Sequence, residues 1–190
     1  MNILNHVALL CKSVDRSAAR LAALGLPIGP REIWDGEGTA EIYIGDTKGA
    51  RGLLLLMESV KDGAYRRAME KRGPGLHHIA VDVPEINAFI PTASKFGWFL
   101  HPRSLESYAK HKTIYLARPG FPALIEVEER AGYDERAMKS SLISSLKIRS
   151  EESRSSQLIQ ALGIPELSLT GGSAKISISG HELDIGELTL

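Results

Sequence analysis

HVALLC at residues 6–11 and HIAVDV at residues 78–83 share one pattern, a histidine followed by strongly apolar residues at alternate positions. A second pair of stretches, GLLLLME at 52–58 and LIEVE at 124–128, is related in the same way. The spacing between equivalent residues is 72 positions in the first pair and 71 in the second. A spacing that is nearly constant at two independent places predicts an internal structural repeat.

Composition and charge exclude several classes of protein. The 190 residues include 23 Lys and Arg and 23 Asp and Glu, so neither a nucleic acid nor a membrane surface is expected as the main partner. The single cysteine, Cys11, has no partner for an intrachain disulfide, which favours a reducing cytoplasm. The sequence pattern indicates neither a signal peptide nor a stretch long enough to span a bilayer.

The first repeat, residues 1–60, is predicted to have the order β-α-β-β-β. A strand over residues 3–11 precedes a helix that Ser13 caps and Gly25 ends. Three further strands are expected at 30–35, 39–45 and 51–59, separated by turn residues. We call this unit module one. A short charged helix within residues 61–75 is the expected linker.

The second repeat, residues 76–130, has the same predicted order and is called module two. Its elements are a strand at 76–83, a helix at 85–97, and strands at 98–104, 112–118 and 122–129. Pro91 is expected to break the hydrogen bonding of the helix or to divide it into two.

The tail, residues 131–190, offers a third and weaker copy, here called the C-terminal unit. A strand at 142–148, a helix at 151–162, and strands at 167–170, 175–179 and 182–189 are expected. The positions equivalent to the histidine and the glutamate are Ser145 and about Ile185, neither of which is a strong metal ligand. The unit is therefore either a degenerate third module or an extension that covers a sheet edge.

Three side chains of the two modules form a candidate metal site. Side chains alternate between the two faces of a strand, so the apolar residues can pack on the helices while His6, His78 and Glu126 point to the other face. If the modules curl toward each other, the three side chains converge. Two imidazoles and a carboxylate suit Zn, Co, Mn, Ni or Fe and leave positions open for water and substrate.

The segment EKRGPGLHHIA at residues 70–80 resembles the start of the second module in methylmalonyl-CoA epimerases, and residues 45–48 and 124–127 fit the same comparison. The wider group is the vicinal oxygen chelate superfamily, which the chain resembles over about residues 3–129. The resemblance implies an α+β fold in which paired βαβββ modules form a cupped mixed sheet. It also implies metal ligands at His6, Leu55, His78 and Glu126, of which Leu55 cannot coordinate a metal.

The resemblance implies a metal-dependent isomerase or lyase that acts on a small acyl thioester or oxo acid. Two alternatives remain open. Two histidines and one glutamate also resemble the iron site of Fe(II) extradiol dioxygenases, for which His111 and Tyr115 are the candidate supporting residues. Since Leu55 replaces a ligand, a non-catalytic protein that binds a small molecule is the third possibility.

Epimerisation requires two proton-transfer groups on opposite faces of the substrate. Glu126 is expected either to act as a ligand alone or to serve as both ligand and catalytic group. The second group is sought among Glu32, Asp35, Glu37 and Glu41, and Glu41 is favoured because it interrupts an apolar strand.

The other histidines and the C-terminal unit carry separate expectations. His77 is predicted to lie on the helix-facing side of its strand, where it packs or forms a hydrogen bond with the backbone. His101 is expected at the surface, and nothing connects His181 with the site. The C-terminal unit is expected to pair across a homodimer, because an odd third module leaves a sheet edge exposed.

Overall fold

The structure is a computed structural model, which describes residues 2–48, 50–130, 133–150 and 153–190. Module one begins with a strand and a helix and continues with four strands, the third of which is very short. Their bounds are β1 Ile3–Leu10, α1 Val14–Ala22, β2 Ile28–Trp34, β3 Thr39–Ile44, β4 Ala50–Arg51 and β5 Leu53–Ser59. Ser13 caps α1, as predicted, by accepting a hydrogen bond from the backbone N–H of Arg16.

The linker forms α2, Ala64–Arg72, and module two follows it. The bounds of module two are β6 Gly75–Val83, α3 Ile86–Lys95, β7 Phe99–Leu100, α4 Ser104–His111, β8 Thr113–Ala117 and β9 Leu124–Glu129. Pro91 lies inside α3, so the predicted division into two helices is wrong, although Pro91 has no N–H to donate to the preceding turn. The strand expected over 98–104 is only two residues long, and α4 follows it, stabilised by an ion pair between Glu106 and Lys110 at helical spacing.

Both modules contribute to one mixed sheet of eight strands in the order β2-β3-β5-β1-β6-β9-β8-β7. The first strands of the two modules, β1 and β6, lie antiparallel at its centre. Each of them pairs in parallel with the last strand of its own module, β5 or β9. This arrangement confirms the α+β fold of paired βαβββ modules, and the structure contains the repeat that the spacing predicts.

The core lies on the face of the sheet that carries the helices. Val7, Leu9 and Cys11 are fully buried in one apolar cluster with Val14 and Leu21 of α1, so the predicted alternation along β1 is observed. The other face of β1 is left for His6 and for a second, smaller apolar cluster that α2 covers. The helices α1 and α3 therefore stabilise one face of the sheet, and the part of the other face that α2 does not cover is available for a site.

The C-terminal unit is built from α5 Tyr133–Ala137, β10 Ser140–Ser141, β11 Ile143–Arg149, α6 Ser153–Leu162, β12 Leu167–Thr170, β13 Lys175–Ile178, β14 His181–Asp184 and α7 Ile185–Leu188. Residues 151 and 152 of the predicted helix lie outside the described residues. The strand expected over 182–189 is wrong beyond residue 184, because Asp184 caps α7 by accepting from the N–H of Glu187.

The strand order of the C-terminal unit differs from that of the modules. Its four-stranded sheet has the order β12-β11-β13-β14, so its first strand pairs with the second and third rather than with the last. It joins module one through β10, which pairs with β4. Gly52 lies next to this junction with a positive φ of 58°, and a side chain there would collide with Ser141. The element order thus repeats a third time without the topology of the modules.

The domain boundaries predicted at residues 60, 75 and 130 stay predictions. Within the part of the chain that the structure describes, no helix combines the length and the apolar character that crossing a bilayer requires.

Candidate metal centre

The three side chains predicted as ligands lie together on the face of the sheet opposite the helices of the modules. His6 Nε2 is 3.1 Å from His78 Nε2, which is 3.2 Å from Glu126 Oε2, and His6 Nε2 is 4.0 Å from the same oxygen. All three residues are buried. Ligands bound at about 2.0–2.2 Å to one zinc ion are separated by roughly 3–3.5 Å, so the set fits one divalent cation after a small adjustment.

Strand register explains why these side chains meet. Ala80 lies between His6 and Glu126 in neighbouring strands, because it pairs with both of them. Ala8 occupies the equivalent position between His78 and Leu55. The small alanines leave room above the sheet, so the larger side chains on either side can approach one another. Leu55 is therefore the counterpart of Glu126 across the β1–β6 pair.

Leu55 is integrated into an apolar cluster rather than left beside an empty ligand position. It is 4% exposed and packs with Ala8 and Met57, over which α2 places Tyr65 and Met69. The linker helix thus covers the part of the face that belongs to module one. The candidate centre consequently has three protein ligands, and the fourth position of the repeat is a hydrophobic contact.

Two β-bulges add a residue to each half of the centre. Between β1 and β6 the register shifts once at Asn5 and once at His77, so each of these residues is the extra one in its strand. The bulge places the His77 side chain on the same face of the sheet as His78, so the prediction that it faces the helix of its own module is wrong. Its ring lies 5.0 Å from that of Tyr65 on α2, and its Nδ1 is 2.9 Å from Nδ1 of His78. The polar residue that precedes the histidine in both repeats was the available signal.

Hydrogen bonds to the atoms that do not face the centre orient two of the three candidate ligands. Nδ1 of His6 lies 3.0 Å from Oδ1 of Asn5, whose amide nitrogen donates to Oδ1 of the buried Asp82 at 2.7 Å. The Tyr115 hydroxyl donates to Oε1 of Glu126 at 2.9 Å. These bonds leave Nε2 of His6 and Oε2 of Glu126 directed at the centre. Such outer hydrogen bonds are typical of metal sites.

Burial dominates the electrostatics of the centre. It raises the pKa of Glu126 to about 7, an effect that the hydrogen bond from Tyr115 only partly opposes. It lowers the pKa of His78 to about 4, so this imidazole is neutral at neutral pH and has a lone pair for a metal. The cavity therefore disfavours net charge of either sign on its own residues. A divalent cation would compensate the Glu126 carboxylate, so the chemistry of the donor set fits a metal.

A pocket of about 360 Å³ opens beside His78. Its described lining contains three cationic side chains, Lys71, Arg72 and Arg103, and no carboxylate. The remaining lining is formed by aromatic, histidine and small apolar residues: Ala64, Tyr65, Ala68, His77, His78, His101, Tyr115 and Leu124. The pocket suits an anionic ligand. His101 was expected at the surface, whereas it is half-buried and forms part of this wall.

Glu37 anchors the rim of the pocket. It accepts a hydrogen bond of 2.6 Å from the Tyr65 hydroxyl and forms an ion pair with Arg103. Arg103 also lies over the ring of Tyr115, 5.8 Å from its centre. This network connects α2, α4 and β8 around the pocket.

A larger cavity of about 600 Å³ adjoins the pocket, and Arg72 and His77 line both. The C-terminal unit forms one of its walls with Arg149, Ser173 and residues 184–186. The unit therefore contributes to the surroundings of the centre although it supplies none of the three candidate ligands.

Glu41, Tyr115 and His111 were also predicted as functional residues, and the structure places them in different surroundings. Glu41 is half-buried on β3, accepts a hydrogen bond of 2.7 Å from Thr39, and has a pKa that burial raises. It belongs to the face that holds Tyr43, whose ring meets that of His6 edge-on at 5.8 Å. His111 is exposed at the end of α4, so the structure brings Tyr115 to the centre but not His111.

Several other side chains lie away from the centre, among them Glu32 and Asp35, which the sequence analysis considered for proton transfer. Trp34 and Glu32 are exposed on the edge strand β2, Asp35 forms a surface ion pair with Lys61, and Tyr108 packs against the core. His181 begins β14 in the C-terminal unit.

Sequence comparison places these features in a known family. The family model of the Glyoxalase/Bleomycin resistance protein/Dioxygenase superfamily matches residues 5–116, a range that includes His6 and His78. The chain therefore belongs to this superfamily, as its resemblance to vicinal oxygen chelate proteins predicted. No curated protein matches the sequence significantly.

Two solved structures with the same fold match this chain over most of their own length. A hypothetical protein from Bacillus halodurans C-125 is 21% identical, with a TM-score of 0.55 over 68% of this chain and 96% of that protein. Methylmalonyl-CoA epimerase from Mycobacterium tuberculosis is also 21% identical, with a TM-score of 0.51 over 70% of this chain and 90% of the epimerase. At this identity the likeness shows the fold that the two modules share.

Proposed function

We propose that the protein is a metal-dependent isomerase or lyase of the glyoxalase and methylmalonyl-CoA epimerase kind, acting on a small acyl thioester or oxo acid. The observation that carries the proposal is the convergence of His6, His78 and Glu126 at ligand separations beside a cationic pocket. These residues are the proposed ligands of Zn, Co, Mn, Ni or Fe. When bound, the cation supplies Lewis-acid stabilisation of negative charge on substrate oxygens.

The pocket supports an anionic substrate. Lys71, Arg72 and Arg103 surround it, and a carboxylate or a polarised thioester oxygen would be attracted to these side chains. Arg103 is held by Glu37, which orients its guanidinium in advance of binding. Exclusion of water by α2, which supplies Ala64, Tyr65 and Ala68 to the lining, would strengthen these interactions.

Proton transfer is assigned to two carboxyl groups. Glu126 is proposed to act both as ligand and as proton-transfer group. Glu41 is proposed as the second group because burial raises its pKa toward the useful range. Glu37 is the competing carboxylate, since its contacts to Tyr65 and Arg103 place it at the rim of the pocket.

An Fe(II) extradiol-type dioxygenase is the second candidate function. Two histidines and one carboxylate with open positions form the ligand set of many non-haem iron oxygenases, and Tyr115 lies in hydrogen-bond contact with the carboxylate. The exposed position of His111 weakens this candidate. A non-catalytic binding protein is the third candidate, supported by the leucine at position 55, where the repeat would place a ligand.

Metal analysis of the purified protein is the first experiment. His6→Ala and Glu126→Ala should each lose bound metal, whereas His181→Ala, a change outside the centre, should retain the content of the unchanged protein. If metal content is the same in all four proteins, the proposed centre is wrong.

Two activity assays then separate the candidate functions. Exchange of deuterium from solvent into the alpha carbon of methylmalonyl-CoA would support the epimerase, and aerobic cleavage of a catechol with Fe(II) would support the dioxygenase. Glu41→Gln and Glu37→Gln, compared in whichever assay is positive, identify the second proton-transfer group. Tight ligand binding without either reaction would support the binding protein.

The homodimer and the cytoplasmic location also stay proposals. The eight-stranded sheet ends at β2 and β7, and both edges expose apolar side chains, among them Trp34 and Phe99. Such edges favour association with a second copy. A monomer in light scattering at micromolar concentration would contradict the dimer. Cys11 is buried as a free thiol, which suits a reducing compartment.

A further inference from the structure

We infer that His77 is a positioning residue for the candidate metal centre, holding the ring of His78 so that Nε2 faces the cation. This inference rests on the metal centre proposed above and adds a residue that is not one of its ligands. The structural basis is the contact of 2.9 Å between Nδ1 of His77 and Nδ1 of His78.

The two ring nitrogens in contact must differ in protonation, since one has to donate and the other to accept. An imidazole that binds a metal through Nε2 carries its proton on Nδ1. With a cation on Nε2, His78 therefore donates from Nδ1, and His77 accepts with Nδ1 and carries its own proton on Nε2. The contact thus assigns a tautomer to both rings of the metal-bound centre.

Two features keep the His77 ring in place. The bulge in β6 turns His77 to the side of the sheet that His78 occupies. The ring then lies 5.0 Å from that of Tyr65 with an angle of 30° between the planes, and Tyr65 is itself bound to Glu37. The acceptor is thus buried and supported by α2 rather than by solvent.

The first repeat independently contains the same arrangement, a bulge residue whose side chain contacts Nδ1 of the following histidine. Asn5 precedes His6, occupies the other bulge, and presents Oδ1 to Nδ1 of His6 at 3.0 Å. Asn5 and His77 are 72 positions apart, as are the two histidines that they orient. One repeat uses an amide oxygen and the other an imidazole nitrogen for the same purpose, which is difficult to explain by packing alone.

This correspondence specifies the matched variants. His77→Asn places an amide oxygen near the position of Nδ1 and copies the arrangement of the first repeat. His77→Phe keeps a ring against Tyr65 but removes the acceptor. His181→Phe makes the same change in the C-terminal unit and serves as the control.

Zinc affinity, measured by competition with a chromophoric chelator on the full chain at fixed pH, is the first test. We expect His77→Phe to weaken zinc binding by about 10–100-fold, the usual effect of losing an outer hydrogen bond to a metal ligand. His77→Asn and His181→Phe should stay within about threefold of the unchanged protein. An unaltered affinity in His77→Phe, or an equal loss in His77→Asn, would overturn the inference.

The protonation of His78 in zinc-loaded protein is the second test, because without a cation one of the Nε2 nitrogens of His6 and His78, 3.1 Å apart, has to carry a proton. Nitrogen-15 NMR of the imidazoles should show zinc on Nε2 and the proton on Nδ1 of His78 in the unchanged protein and in His77→Asn. In His77→Phe this Nδ1 proton should exchange faster with solvent, because it has lost its acceptor. A His78 proton on Nε2 in the zinc-loaded unchanged protein, or equal exchange in His77→Phe, would overturn the assignment. If His77→Phe fails to fold, the smaller His77→Leu is measured in its place.

The two tests also separate this inference from the proposed function. If the unchanged protein binds no zinc, the proposed centre fails and the inference that rests on it fails as well. If zinc binds and His77→Phe changes neither the affinity nor the exchange of the Nδ1 proton, the centre stands and only the inference fails.

Discussion

Replacement of Leu55 by glutamine tests whether the repeat still provides a fourth ligand position. Leu55 pairs with Ala8 as Glu126 pairs with Ala80, so a polar side chain at position 55 would approach the centre from the side of module one. In metal-free protein, the loss of a buried leucine and the burial of an unpaired amide should together cost roughly 3–5 kcal/mol in the free energy of unfolding. For a chain of this size, that cost lowers Tm by roughly 10 °C or more.

Added metal should partly reverse this loss, because the amide oxygen of Leu55→Gln would then have a partner. Each tenfold gain in affinity is worth about 1.4 kcal/mol, which corresponds to roughly 3–6 °C in Tm for a chain of this size. The rise of Tm on addition of zinc should therefore be larger in Leu55→Gln than in the unchanged protein. Differential scanning calorimetry with and without zinc measures both quantities.

Met57→Gln is the matched control for this experiment. Met57 lies on the same strand and the same face, two residues beyond Leu55, and is 1% exposed. It should lose stability to a similar extent and gain nothing extra from zinc. The symmetry argument is refuted if Leu55→Gln and Met57→Gln respond to zinc equally.

Three further predictions concern the surroundings of the centre, the core and the C-terminal unit. Tyr115→Phe removes the hydrogen bond to Glu126 and should weaken metal affinity by about tenfold or more in isothermal titration, with Tm nearly unchanged. Burial raises the pKa of Cys11 to about 11, so the thiol should resist a thiol reagent at pH 8 until the protein unfolds. Arg51→Leu leaves the largely buried Glu166 carboxylate without its ion pair at 2.8 Å and should cost about 2–4 kcal/mol in urea unfolding.

Each of these predictions has an outcome that contradicts it. Equal metal affinity in Tyr115→Phe would show that the hydroxyl does not orient Glu126. The pKa of Cys11 is higher in the folded protein than in the unfolded chain. The stabilisation by the protonated thiol is therefore complete below pH 9 and is lost as the pH rises toward 11, by up to about 1.4 kcal/mol for each pH unit. A slope that is the same in Cys11→Ala would contradict this. Arg51→Leu combined with Glu166→Leu should recover most of the lost stability, and an additive loss would argue against the pair.

Much of the candidate centre could be predicted from local patterns in the sequence. Alternation along a strand is a property of the backbone, so the faces of His6, His78 and Glu126 followed from their apolar neighbours. Three of the elements that were missed, α4, α5 and α7, are helices, and all three are short. Their signals, such as the Glu106–Lys110 pair, are weaker than the strand propensity of the residues around them.

The position of His77 could not be predicted, because a bulge depends on the register between two strands. Strict alternation along β6 would place His77 on the face that packs on the module helices. The bulge against β1 makes His77 an extra residue and places it on the opposite face. The cover over Leu55 is likewise nonlocal, since it requires the linker helix to cross the face of module one.

The sequence by itself determined the duplicated unit, the superfamily and the three candidate ligands, because a constant spacing and a two-residue period are both readable along one chain. Tertiary structure alone decided the two bulges, the cover of α2 over Leu55 and the separate strand order of the C-terminal unit. These features arise from pairings between segments that are distant in the chain, and the energy of such a pairing belongs to both partners at once.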